Sequence, residues 1–288
     1  MGNSFVLGMD IGGSHITAAL VDLEKRTFIE DSIKRSFVNS QEESTVILDA
    51  WCQIINKTYK GYEKITKSIG IAMPGPFDYE RGISLIKDQD KFKTLYNLNI
   101  KEALAKRLCM PASNIRFVND AVAFLQGEVF SDGTIKANAN VLGLTLGTGL
   151  GAAVCINGVT KDAALWDSVF LNGIAEDYLS TRWFLKRYSQ LSGKTVNGVK
   201  ELLAIVDTDH FAARVFIEFG HTLAHFLIPV IKKYKSEVVI IGGNISGASG
   251  AFFPELMATL KNNNVRSDIK ITKLKEHAAL IGAASCWN

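Results

Sequence analysis

The chain has 288 residues, 47% of them hydrophobic and 21% charged, an ordinary globular composition that excludes disordered and fibrous classes and leaves room for one large domain or two of usual size. A net charge of +3, from 32 basic and 29 acidic residues scattered along the chain, gives no electrostatic footprint for nucleic acid. Cys52, Cys109, Cys155 and Cys286 are too widely spaced for a zinc knuckle or a redox pair and read as reduced thiols of a cytoplasmic protein. The first residues lack a signal-peptide pattern, Val6 stands where a myristoylation motif needs Ser or Thr, and no apolar run approaches the ~20 residues of a membrane span.

The N-terminal elements are strands. An apolar run at 5–9 meets Asp10-Ile11-Gly12-Gly13-Ser14-His15 and continues at 16–21, the pattern of two strands joined across a glycine turn. Helical spacing of Val46, Ile47, Ala50, Ile54 and Ile55 predicts a helix over 44–59. Residues 69–73 form a strand closed by the loop Pro74-Gly75-Pro76, and 100–108 an amphipathic helix. A strand at 115–118 runs into Asn119-Asp120, with a helix over 121–130. The opening pattern then recurs as a strand at 141–146, the turn Gly147-Thr148-Gly149 and a strand at 150–156, which points to two related α/β halves. Helices follow at 175–191 and 211–234, the second containing Pro229. A buried-type strand at 237–241 closes on Gly242-Gly243, and a last helix spans 276–285. Strands alternating with helices give an α/β class. The first domain is expected to cover 1–118, with the last helix, 276–288, returning to it, and a larger second domain 119–275.

Three glycine turns follow apolar strands, at Gly12-Gly13, Gly147-Thr148-Gly149 and Gly242-Gly243. Glycine lets backbone N–H groups approach an anion, so such turns can cradle phosphate; the plain alternative is hairpin chemistry. The P-loop and dinucleotide fingerprints are absent. Tyr188 stands where a P-loop ending at Gly193-Lys194-Thr195 needs its first glycine, and Gly147-Thr148-Gly149-Leu150-Gly151 has the wrong spacing. Asp10, where a strand meets its turn, can hold magnesium through water or simply cap the turn. Asp120, after Asn119 at a strand end, can accept a proton from a hydroxyl nucleophile, cap the following helix, or do both.

Taken in order, LGMDIGGSHITAALVD, GIAMPGPFD, FVNDA, LGLTLGTGLGAAV, EDYLSTR and VVIIGGNIS resemble the ROK family of bacterial sugar kinases, glucokinase-like, and sugar-responsive repressors, over nearly the whole chain. The resemblance implies a two-domain actin-like ATPase (ribonuclease H-like) fold with an interdomain cleft and ATP- and Mg2+-dependent phosphorylation of a hexose or amino sugar. Asp10, Gly12, Gly13 and Ser14 match the family's first phosphate motif; Gly147, Thr148 and Gly149 its second; Gly242, Gly243 and Asn244 its adenosine-side turn. Asn119 and Asp120 match the sugar-binding pair whose Asp is the general base, and Gly75 and Glu176 match sugar-lining positions.

The departures bear on specificity. His15 replaces the usual lysine after the first phosphate turn. The family's cysteine motif is shortened to 168–175 with no cysteine, so no zinc is expected. The Glu-x-Gly-His element is missing; Ala164-Leu165-Trp166-Asp167 takes its place, and Asp167 and Trp166 are expected at the pocket, Trp166 alternatively as a core anchor. Gln89, Asp90 and Lys91 are further sugar-side candidates. His221 and His225, four apart on one helix, read as packing or surface. A repressor of the family would need a DNA-binding helix before the first strand, where only four residues stand. A catalytically silent sugar- or nucleotide-binding sensor is the remaining alternative, against which the retained Asp10 and Asp120 weigh. Small-molecule sugar and ATP are the expected partners, with no nucleic acid and no membrane; a homodimer is left open.

Overall fold

The computed structural model describes residues 4–87, 91–136 and 138–288. The chain divides into two compact units, 1–134 with 276–288, and 135–275.

In the first unit β1 (Phe5–Ile11), β2 (His15–Asp22), β3 (Thr27–Phe28) and β4 (Lys34–Phe37) precede α1 (Ser44–Tyr59); β5 (Ile69–Met73), a small hairpin of β6 (Phe77–Asp78) and β7 (Ile83–Ser84), α2 (Ile100–Leu108), β8 (Ile115–Asn119) and α3 (Asp120–Ser131) follow. The main sheet runs β3-β2-β1-β5-β8, with β4 also on β2. β1 is antiparallel to β2 and parallel to β5, which is parallel to β8. One face packs Leu7, Met9, Ile11, Ile69, Ile71 and Phe117 against Trp51, Ile54 and Ile55 of α1 and Leu104 of α2. The other face carries the C-terminal helix α9 (His277–Ser285), which belongs to this unit and also packs on α3. Burial on both faces explains why β1 and β5 read as unbroken apolar runs.

Glycine sets how closely α9 lies. A Cβ on Gly282 would sit 1.7 Å from the Ala123 carbonyl oxygen, and one on Gly70 1.9 Å from that of Ala283. α3 packs along α9 and so falls in the first unit, which runs to Thr134.

The second unit contains β9 (Val141–Leu146), β10 (Leu150–Ile156), β11 (Val159–Asp162), a hairpin of β12 (Val169–Phe170) and β13 (Gly173–Ile174), α4 (Ala175–Tyr178), α5 (Thr181–Ser192), α6 (Val199–Ala204), α7 (His210–Tyr234), β14 (Val238–Gly242), α8 (Ser249–Asn262) and β15 (Asp268–Ile271). Its sheet runs β11-β10-β9-β14-β15, with β9 antiparallel to β10 and parallel to β14, and β14 parallel to β15. This is the strand plan of the first sheet again, so the repeated strand–turn–strand motif marks a repeat of the whole layer. Phe184, Phe216, Phe219 and Phe252 join α5, α7 and α8 in its core. α7 is long and apolar enough to cross a membrane by length and composition, yet most of its apolar window is buried in this core.

Two differences from the sequence reading have local causes. The helix expected over 175–191 is broken between α4 and α5, because the Thr181 N–H and hydroxyl both donate to the Gly147 carbonyl (2.8 and 3.0 Å). α8, which was not expected, runs through Pro254, its sixth residue, where the missing N–H removes one helix hydrogen bond.

Candidate active site

Three parallel strands of the first unit, β1, β5 and β8, end side by side. Asp10 pairs with Ala72 and Met73 with Asn119 across the ladders. The carboxyl ends of parallel strands are where open α/β sheets bind ligands, because the loops there are free of ladder bonds. Here they carry Asp10 and its turn, the Pro74–Pro76 loop, and Asn119-Asp120.

Asn119 caps α3: its Oδ1 accepts the N–H groups of Ala121 (3.0 Å) and Val122 (3.1 Å). Asp120 is therefore the first helical residue and not the cap, and its Oδ1 accepts the Ala121 N–H at 2.9 Å. Burial pushes the Asp10 carboxyl from 3.8 up to about 7, the Asp120 and Glu276 carboxylates add to the rise, and Arg35 and Lys91 oppose it. Asp10 and Asp120 thus lie close enough to act on each other, within an acidic group that a divalent cation would relieve. Glu276 pairs with Arg35 at 2.9 Å. Lys91 lies with its Cδ 3.5 Å from where a Gly13 Cβ would be. Gln89 and Asp90 lie outside the described residues.

The turn after β1 is closed by the Gly12 N–H on the His15 carbonyl at 2.9 Å. Ser14 and His15 are exposed; the Ser14 hydroxyl meets His15 Nδ1 at 2.9 Å and the His15 ring packs edge-on to Phe37. Neither Gly12 nor Gly13 has a positive φ, and neither Cβ position lies under 3.0 Å from a neighbour. Hairpin geometry therefore does not demand glycine here; what glycine adds is open backbone.

The turn after β9 shows the same property in the second unit. The Gly147 N–H donates to the Gly149 carbonyl at 3.0 Å, and a Gly147 Cβ would have nothing within 4 Å. Thr148 is exposed at its tip. Gly149 differs, since its Cβ would lie 2.5 Å from Glu176 Oε2. That oxygen accepts the Leu150 N–H at 3.0 Å, while Oε1 pairs with Arg182 at 2.8 Å. Glu176, expected at the sugar, is thus placed against the phosphate-type turn with both oxygens engaged. The Gly242-Gly243 turn is packed against the end of β9: Gly243 has φ +80° and its Cβ would lie 2.4 Å from the Leu146 carbonyl oxygen. Asn244 is exposed beside it and opens the short 3₁₀ turn leading to α8.

Gly75 stands beside a residue that sequence reasoning missed, Tyr79, whose hydroxyl lies 3.2 Å from a Gly75 Cβ position. A tyrosine just past a Pro-Gly-Pro loop, half-buried here and with a hydroxyl that needs a partner, was the available signal. Trp166 is 49% exposed, which removes the core-anchor reading, and Asp167 is exposed. Among the described residues no group of three or more His, Cys, Asp or Glu stands together as a metal site; His221 pairs with Glu255 at 3.0 Å and with the Thr259 hydroxyl at 2.9 Å.

The sequence model of the ROK family matches residues 6–162 and 172–288. The chain belongs to the ROK family. The unmatched stretch between these segments contains Trp166 and Asp167, at the departure noted in the sequence. Similar ROK-type relatives include a glucokinase of Thermotoga maritima, 26% identical over 97% of this chain and 96% of the relative. An N-acetyl-D-glucosamine kinase of Histophilus somni is 28% identical over 97% of this chain and 98% of the relative. Among solved structures, a ROK family glucokinase from Streptomyces griseus in complex with glucose and AMPPNP superposes with a TM-score of 0.77 at 22% identity, covering 98% of each chain. The fold is that of the ROK sugar kinases, the actin-like ATPase fold.

Proposed function

We propose that this ROK protein is an ATP-dependent sugar kinase that phosphorylates a hydroxyl of a hexose or amino sugar. The observation that carries the reading is the convergence of Asp10 and Asp120 at the carboxyl ends of β1 and β8, each beside backbone that can bind a ligand. A sugar hydroxyl is a poor nucleophile at neutral pH. Asp120, held at the start of α3, takes the hydroxyl proton as the oxygen attacks the terminal phosphorus of the nucleotide and the bond from that phosphorus to the bridging oxygen breaks, releasing ADP. Phosphoryl transfer needs little covalent help from the protein, so the remaining work is positioning and charge.

The Gly12 and Gly147 N–H groups close their own turns, so the donors each unit can offer to phosphate oxygens are the neighbouring backbone N–H groups, of Gly13 and Ser14 in the first and of Thr148 in the second, and the Gly242–Asn244 turn serves the adenosine side. The acidic setting of Asp10 fits a magnesium ion, which is held by one or two carboxylates and keeps several waters. When bound, the ion neutralises charge on the phosphates; Asp10 is the residue that would hold it. Lys91, beside Gly13, adds positive charge near the same turn. No role for zinc is part of this reading. Glu176 supports the second turn through the Leu150 N–H, and its link to Arg182 places a cation there.

The relatives named for glucose and for N-acetylglucosamine support the substrate class. A coupled ADP-release assay over glucose, mannose, fructose, N-acetylglucosamine and N-acetylmannosamine, with the phosphorylated product identified, tests it. Sugar-dependent ATP consumption with a matching sugar phosphate is expected; ATP turnover unaffected by every sugar would sink the proposal.

A further inference from the structure

Asn119 holds the one side-chain amide at the carboxyl end of β8, and the structure fixes most of it. Its Oδ1 is fully occupied by the Ala121 and Val122 N–H groups at the start of α3. Its Nδ2 donates to the Tyr79 hydroxyl at 3.2 Å, and that hydroxyl in turn donates to the Met73 carbonyl at 3.1 Å. Met73 is the ladder partner of Asn119 and the last residue of β5, directly before the Pro74–Pro76 loop. The Tyr79 ring is held by Phe77, 5.2 Å between centroids, which packs on Phe117 of β8 at 5.0 Å. A Cβ at Gly75, on that loop, would lie 3.2 Å from the hydroxyl.

We infer that Tyr79 is a positioning residue for the sugar side of the site. This rests on the reading of Asn119 as a sugar contact. The two cap bonds anchor Oδ1 and the bond to Tyr79 anchors Nδ2, so both ends of the amide are held, and the bond to the Met73 carbonyl ties the setting to the strand end that carries the Gly75 loop. With Oδ1 committed to the helix and one Nδ2 hydrogen committed to Tyr79, Asn119 presents a single N–H donor. It therefore recognises an oxygen of the substrate as an acceptor, and Tyr79 decides where that donor points. Gly75 is tied to the same device, since a side chain there would crowd the hydroxyl at 3.2 Å.

The test compares Tyr79→Phe, which removes one oxygen and keeps the ring against Phe77, with Asn119→Ser, which retains a capping side chain, and with the double variant. Sugar dissociation constants are measured by calorimetry without nucleotide over the five-sugar panel, and KM and kcat for both substrates where turnover is present. Loss of one hydrogen bond predicts a sugar Kd and KM raised about fivefold to tenfold in Tyr79→Phe, with the ATP KM and kcat within about threefold of the parent. Because Tyr79 acts through Asn119, adding Tyr79→Phe to Asn119→Ser should weaken sugar binding no further. Unchanged sugar binding in Tyr79→Phe, additive effects in the double variant, or a parallel rise in the ATP KM would overturn the inference, the last by marking Tyr79 as merely structural. If the parent binds a sugar but turns over no ATP, the kinase reading fails while the Kd series still decides the role of Tyr79. If the parent binds no sugar, both fail.

Discussion

Replacing Asp10 by Asn should stabilise the ligand-free protein while impairing it as an enzyme. The carboxyl is raised from 3.8 to about 7 by burial and by the neighbouring Asp120 and Glu276, so ionising it within the fold is unfavourable. A raised acid is most compatible with folding below its unfolded value of 3.8 and loses that advantage as pH rises to about 7. At ~1.4 kcal/mol per pH unit, the roughly three-unit shift makes the penalty at pH 8 at most about 4 kcal/mol; at pH 5 only about 1.6 kcal/mol of it has developed. Asn carries no such penalty. Urea unfolding of parent and Asp10→Asn, without divalent cations and at several pH values from 5 to 8, should show the parent losing about 2–3 kcal/mol relative to the variant across that range. Asp120→Asn, by removing one like charge, should make the parent's pH dependence shallower. Parallel stability-versus-pH curves for parent and Asp10→Asn would refute the placement of Asp10 in a desolvated position beside like charges. The same variant should lose magnesium-dependent turnover, stability gained where function held strain.

The glycines divide into two kinds with opposite expected phenotypes. Gly282→Ala drives a methyl into the Ala123 carbonyl and should cost about 3 kcal/mol or prevent folding, read by urea midpoint, whereas Gly147→Ala meets nothing within 4 Å and should leave the midpoint unchanged while raising the ATP KM. Equal stability of the two variants would contradict the packing described. Metal analysis of protein purified without chelators should find zinc well below one per chain, and turnover should depend on added magnesium; one tightly held zinc per chain would count against the donor chemistry assigned here.

The central strands were legible because both faces of each sheet are covered, so β1, β5, β9 and β14 are written as apolar runs with little alternation. Edge strands such as β4, Lys34–Phe37, carry mostly exposed side chains and leave no such trace. α8 was hidden by Pro254 and Gly250 within it and by Gly247 just before it, residues that usually end helices. In the site, the strand-end acids and glycine turns could be read because their residue types are rare in apolar runs. Which of Asn119 and Asp120 caps α3 could not, since both residues cap well and only the backbone decides. Nor could the bond of Glu176 to Leu150 or that between Tyr79 and Asn119, because each joins residues distant in sequence, nor the pairing of Glu176 with Arg182 across the break between α4 and α5.

The most direct test of the account is the turnover of Asp120→Asn on the sugar that the parent phosphorylates, measured by coupled ADP release alongside nucleotide binding. Asn119, not Asp120, caps α3, so the substitution leaves the cap in place and the variant should fold and bind ATP as the parent does. It removes the proton acceptor, which is typically worth about 10²–10⁴-fold, so kcat should fall by that factor with a much smaller change in sugar KM. A folded Asp120→Asn protein that retains near-parental kcat on that sugar would contradict the assignment of Asp120 as the base and with it the mechanism proposed here.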